Sequence, residues 1–112
     1  MDETRARVFL AEQKYRGANR VIAEAIQTLE RGGASAVLAD AFTVQGVIWA
    51  RLGAYESSIA ILRRALQLGE ESGALANAGL AALTLVEEHA GRLSQGDAVS
   101  AYQDADRLLK DV

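Results

Sequence analysis

The chain has 112 residues, half of them hydrophobic and 24% charged, with a formal net charge of −3. These values fit one compact domain and argue against disorder. With no Cys, disulfides, thiolate metal sites and thiol catalysis are excluded. The apolar stretches fall well short of the roughly 18 residues of a membrane span. Asp2 and Glu3 stand where a signal peptide carries basic residues. The expected location is cytoplasmic, without membrane contact.

Pro is absent and there are 10 Gly, a pattern of helices punctuated by Gly and free of Pro kinks. Six helices are predicted. The first runs from about Glu3 to Tyr15, with Val8, Phe9 and Ala11 to Tyr15 at rough 3–4 spacing, and Gly17 ends it. The second, near Asn19 to Glu30, carries an apolar stripe of Val21, Ile22, Ala25, Ile26 and Leu29, and Gly32-Gly33 stops it. Ser35 is placed to cap the third, which runs to about Leu52. It is apolar on most sides (Val37, Leu38, Phe42, Val44, Val47, Ile48, Trp49), as a helix packed on more than one face should be.

The fourth helix, Tyr55 to Leu68, turns Ile59, Leu62, Ala65 and Leu66 inward and Arg63-Arg64 outward, between turns at Gly53 and Gly69. Ser72 and Gly73 precede the fifth, about Ala74 to Ala90, which Gly91 ends. The sixth opens with Ser94-Gln95-Gly96-Asp97, the form of a capping box, and its apolar face is Val99, Tyr102, Ala105, Leu108 and Leu109. No segment alternates with a two-residue period, so no sheet is expected. Joints of two to five residues make successive helices antiparallel.

Gly17, Gly53 and Gly91 recur at intervals that hold one helix–turn–helix unit each, a sign of stacked helical repeats. From Asp40 the chain reads D-A-F-T-V-Q-G-V-I-W-A-R-L-G-A-Y-E-S-S-I-A-I-L-R-R-A-L. Phe42 and Trp49 are large aromatics seven residues apart, Gly46 is small where helix axes approach, and Gly53 is the turn. Tyr55, Ser58, Leu62 and Ala65 continue the pattern. This stretch resembles a tetratricopeptide repeat, most clearly over residues 39–72. Ser58 departs from the usual Ala, and Leu68-Gly69 stands in for the closing Pro. The flanking units match poorly: Asn19 and Leu93 replace aromatics, and Thr84 replaces the small Gly.

The fold class is therefore all-α, about six antiparallel helices in three stacked units (about 3–31, 35–69 and 73–111) of one domain, a tetratricopeptide-like α-solenoid. Ala81 to Leu109 more loosely resembles the closing part of helical-repeat regions in bacterial signalling and transcription-regulatory proteins.

The tetratricopeptide resemblance implies a concave groove lined by the first helix of each unit. Carried over, it is lined by Asp40, Thr43, Val47, Ala50 and Arg51 in the middle unit, Arg7, Ala11 and Lys14 in the first, and Ala81, Leu85 and Glu88 in the third. Arg7, Lys14 and Arg51 could meet acidic groups or a carboxylate there. Thr43 and Val47 depart from the Lys and Asn of a chaperone-tail clamp.

Trp49 is expected in the core. His89, the single His, beside Glu87 and Glu88, has no second ligand four residues away and reads as a surface residue at a helix end. No nucleophile–base pair, phosphate loop or carboxylate cluster is visible, so no enzyme activity, metal or cofactor is expected. Residues 73–112 carry three basic and six acidic side chains, which disfavours nucleic acid. The expected function is a protein–protein interaction module that binds a peptide or helical segment. A self-association scaffold and a ligand-sensing domain of a bacterial regulator are the alternatives.

Overall fold

The computed structural model describes the backbone of residues 3–110 and the side chains of residues 12–110. It contains five helices: α1 (Glu3–Gly32), α2 (Ser35–Arg51), α3 (Tyr55–Ser72), α4 (Leu75–His89) and α5 (Gln95–Leu109). Among the described residues no strand occurs, and no helix is long and apolar enough to cross a membrane.

The expected break at Gly17 is absent. Residues 3–32 form one helix of 30 residues, and a Cβ at Gly17 would meet nothing within 4 Å. Gly inside a helix costs only about 1 kcal/mol relative to Ala, which the contiguous turns on either side can carry. The count is thus five helices rather than six, and residues 3–31 are one helix, not a pair.

The true turns sit at Gly33, Gly53 and Gly73, whose φ values are 70°, 84° and 79°. That left-handed conformation is one that Gly adopts without a Cβ penalty. Each is followed by an Ala (Ala34, Ala54, Ala74) at the N-cap, with no side-chain cap bond. Ser35 is therefore the first residue of α2 rather than its cap. Ser72 closes α3 by bonding the Gly69 carbonyl rather than capping α4. α5 alone has the cap expected of it: Ser94 Oγ accepts from the Asp97 amide at 3.1 Å. The Asp97 carboxylate, instead of completing the box, pairs with Arg63 of α3.

Successive helices pack against each other, and α2 also touches α4. Small residues set how closely they approach. A Cβ on Gly46 would lie 2.5 Å from Leu62 of α3, one on Gly69 2.7 Å from the Ala78 Cβ of α4, and one on Gly79 2.6 Å from Leu109 of α5. Gly69 is thus an internal contact of α3, not the turn after it. Ala39, Ala65, Ala78, Ala81 and Ala82 are fully buried between axes. Phe42, Ile26, Ile61 and Ala81 form one core cluster against which Trp49 and Leu66 pack; Leu62, Leu85 and Ala101 form a second. Burying Phe42 and Leu62 contributes about 2 kcal/mol each. Trp49 is half-buried, and its Nε1–H donates to Asn19 Oδ1 of α1 at 2.8 Å.

Candidate functional site

α2 and α4 lie side by side, tied at both ends of their contact. Asn77 Nδ2 donates to the Ala36 carbonyl at 2.7 Å, and Arg51 pairs with Glu88 at 3.1 Å. Gly46 of α2 turns toward α3, so the opposite side of α2 is left open. On it Val37, Asp40, Val44 and Arg51 recur at helical spacing, and all four are exposed. α4 continues the surface with Leu80 and Glu87, both exposed, and half-buried Thr84.

The residues expected to line a groove divide into three groups. Lys14, Asp40 and Arg51 are exposed, and Thr43, Val47 and Glu88 are half-buried beside the α2–α4 seam. Ala50, Ala81 and Leu85 are buried in helix interfaces and offer nothing to a partner. Arg7 and Ala11 lie outside the described side chains. Arg51 and Glu88 meet each other, so neither charge is free for a ligand without breaking that pair.

Sequence reasoning placed Val37 and Val44 inside, yet they are 55% and 42% exposed, and Leu80 is 49% exposed. Their signal was present: 37, 40, 44, 47 and 51 follow the alternating three–four spacing of a single helical stripe. What the sequence could not tell was which of several apolar stripes on α2 faced a neighbour.

A second constellation was also missed. His89 is fully buried rather than on the surface, and its Nε2 lies 2.7 Å from Ser58 Oγ, itself fully buried. Ser58 also donates to the Gly46 carbonyl at 2.5 Å. A carbonyl can only accept, so the hydroxyl proton is committed to Gly46, and Ser58 Oγ accepts from Nε2–H of a neutral His89. The ring is held edge-on to Tyr55, with centroids 6.3 Å apart, and Arg92 lies 3.6 Å over the Tyr55 ring. Burial, and then the Arg92 charge, push the His89 pKa below its usual value, against a smaller pull upward from Glu88. A Ser–His contact is the geometry of an activated nucleophile. Here neither group reaches solvent and the serine proton is already used, so the pair ties α2, α3 and α4 together instead.

Among the described residues no three His, Asp or Glu side chains converge to hold a metal ion. No protein-family model, curated protein or solved structure matches the chain.

Proposed function

We propose that the chain is a helical-repeat module of the tetratricopeptide kind that binds a segment of another protein across the α2–α4 face. The carrying observation is the run of exposed apolar side chains, Val37, Val44 and Leu80, on adjacent helices held in fixed register by Asn77 and Arg51. Exposed apolar groups ranked along two parallel ridges form a track for an extended chain or an amphipathic helix. The close approach at Gly46 and the side-by-side placement of α2 and α4 agree with the repeat reading.

Among the described residues, the charge on the face without an ion-pair partner is acidic, from Asp40 and Glu87, because Arg51 is engaged by Glu88. The favoured partner segment therefore combines apolar side chains with Lys or Arg at its edges. This revises the expectation of an acidic ligand meeting Arg51. The setting suggested by the looser resemblance is a bacterial regulator in the cytoplasm.

The test is capture of partners with the full chain, followed by Val44→Glu with Leu80→Glu. Both sites are exposed, so folding should survive. A captured partner should bind the double variant about tenfold or more weakly, in line with loss of central contacts. Unchanged binding would remove this face from consideration.

A further inference from the structure

His89 is the last residue of α4 and the single His of the chain. Its ring is fully buried, yet its hydrogen bonding is incomplete. Nε2–H is given to Ser58, whose own proton goes to the Gly46 carbonyl. Nδ1, equally buried, has no hydrogen-bond partner among the described residues. In the neutral ring Nδ1 is a lone pair without a donor. A second proton can enter only there. It would make an enclosed cation whose new N–H has no acceptor, an arrangement that a buried site disfavours strongly.

The groups around the ring do not receive that cation. α3 presents the edge-on ring of Tyr55 and the hydroxyl of Ser58, which already accepts from Nε2. α2 presents the Gly46 carbonyl, which Ser58 occupies. Two charges act on the ring: Arg92, in the joint after α4, opposes a proton, and Glu88 of α4 favours one less strongly. Glu88 is in turn engaged by Arg51 of α2.

The enclosure is uneven. Toward α2 and α3 the ring meets Gly46 and Ser58, both buried. On its other side stand Tyr55, 42% exposed, and Arg92, exposed and stacked on Tyr55. Ala90 and Gly91, next in the chain, are exposed as well. The His89 carbonyl accepts from the Arg92 and Leu93 amides at 2.9 and 3.0 Å, and Leu93 packs against the Leu62, Leu85 and Ala101 cluster. One residue thus fastens the end of α4 with its side chain and the joint to α5 with its carbonyl. An opening that carries the ring into water takes the joint with it. α5 beyond the joint is tied to α3 by ion pairs whose side chains are all exposed.

We propose that His89 is a proton-operated latch on the joint between α4 and α5: protonation at Nδ1 releases the last turn of α4 together with α5, while α2 and α3 stay packed. The latch stands whether or not the α2–α4 face binds a foreign segment.

The test is native-state amide exchange on the full chain between about pH 7 and 5.5, corrected for the intrinsic pH dependence of exchange. Carboxylates ordinarily titrate at about pH 4, so in this window the side chain that changes charge is the histidine. Each opening of residues 86–109 should take up one proton. Their opening constant should therefore rise severalfold, up to about tenfold per pH unit below about pH 6.5. α2 and α3 should stay in a higher-energy class throughout. His89→Gln keeps a donor for Ser58 and cannot titrate, so the rise should vanish. An opening constant that is flat with pH overturns the proposal, as does an equal rise in His89→Gln. So does loss of protection in α2 and α3 at the same step, because the proton would then unfold the whole chain. Should His89→Gln fail to fold, the pH series on the native chain decides, since the slope and the protection of α2 and α3 are both read on it.

Discussion

Ser58 and His89 are 31 residues apart and meet at a point where three helices converge. Replacing Ser58 with Ala strands the His89 Nε2–H in a buried site and takes a second hydrogen bond from the Gly46 carbonyl, which lies inside α2. A stranded buried donor such as the His89 Nε2–H costs about 1–3 kcal/mol, so S58A should lower the melting temperature by several degrees, read by circular dichroism. The tetratricopeptide resemblance implies Ala at this position, yet here it should be the destabilising residue. His89 adds a pH dependence. Its folded pKa lies below its ordinary value, so as pH falls below about 6.5 the unfolded chain takes up the proton first. Folding stability should be full above that range and decline as pH falls through it toward the folded pKa. Urea titrations at neutral and mildly acidic pH should show the decline, and His89→Gln, which keeps an N–H donor, should flatten it. An equal decline in that variant would assign the effect to other groups. That this His is buried was hidden from the sequence, where Glu87 and Glu88 beside it suggested a surface position. One turn of a helix presents neighbours to opposite sides, so exposed Glu87 says little about residue 89.

The glycines separate two roles that one letter conceals. Gly46→Ala would drive a methyl into Leu62, a well-packed fully buried side chain. Overpacking of this kind costs about 1–3 kcal/mol. Gly17→Ala meets open space inside a helix and should stabilise by about 0.5–1 kcal/mol. The pair of denaturation curves should move in opposite directions. A loss of stability in G17A would instead mean a turn at residue 17, and with it the six-helix arrangement. The sequence did carry a way to choose. Gly-Ala recurs at 33–34, 53–54 and 73–74, and the four later helices start at 35, 55, 75 and 95. Gly17 and Gly91 do not fit this cadence of 20 residues. Gly46 and the capping Ser94 were legible because each demand is local: a close approach, an orphan amide. The outward side of α2 was not, because that helix is apolar nearly all round and only its neighbours decide which stripe stays wet.

Across the whole molecule the helices differ in how much protein covers them. α3 lies between α2 and α4, and it supplies Ile61 and Ala65 to one core cluster and Leu62 to the other. α5 is packed chiefly on α4, its Ala101 sharing a cluster with Leu85 and with Leu62 of α3; Ala101, Ala105 and Leu108 are buried, and Val99 and Tyr102 are in solvent. Its remaining ties to α3 are the ion pairs Arg63–Asp97 and Arg107–Glu70, all four side chains well exposed. Exposed pairs contribute about 0–1 kcal/mol, too little to hold α5 as firmly as core contacts hold α3. In a stack where each layer is stabilised chiefly by its neighbours, the end layer opens first. Native-state amide exchange in dilute solution should therefore show the central turns of α3 opening with the highest free energy, and α5 exchanging through a separate, lower-energy opening. Tyr102→Glu, which only changes an exposed ring, should leave that dilute pattern unchanged. Equal protection of α3 and α5 would mean that the five helices unfold as one unit, and that the packing around Leu62, Leu85 and Ala101 couples α5 to the core more strongly than its buried surface suggests.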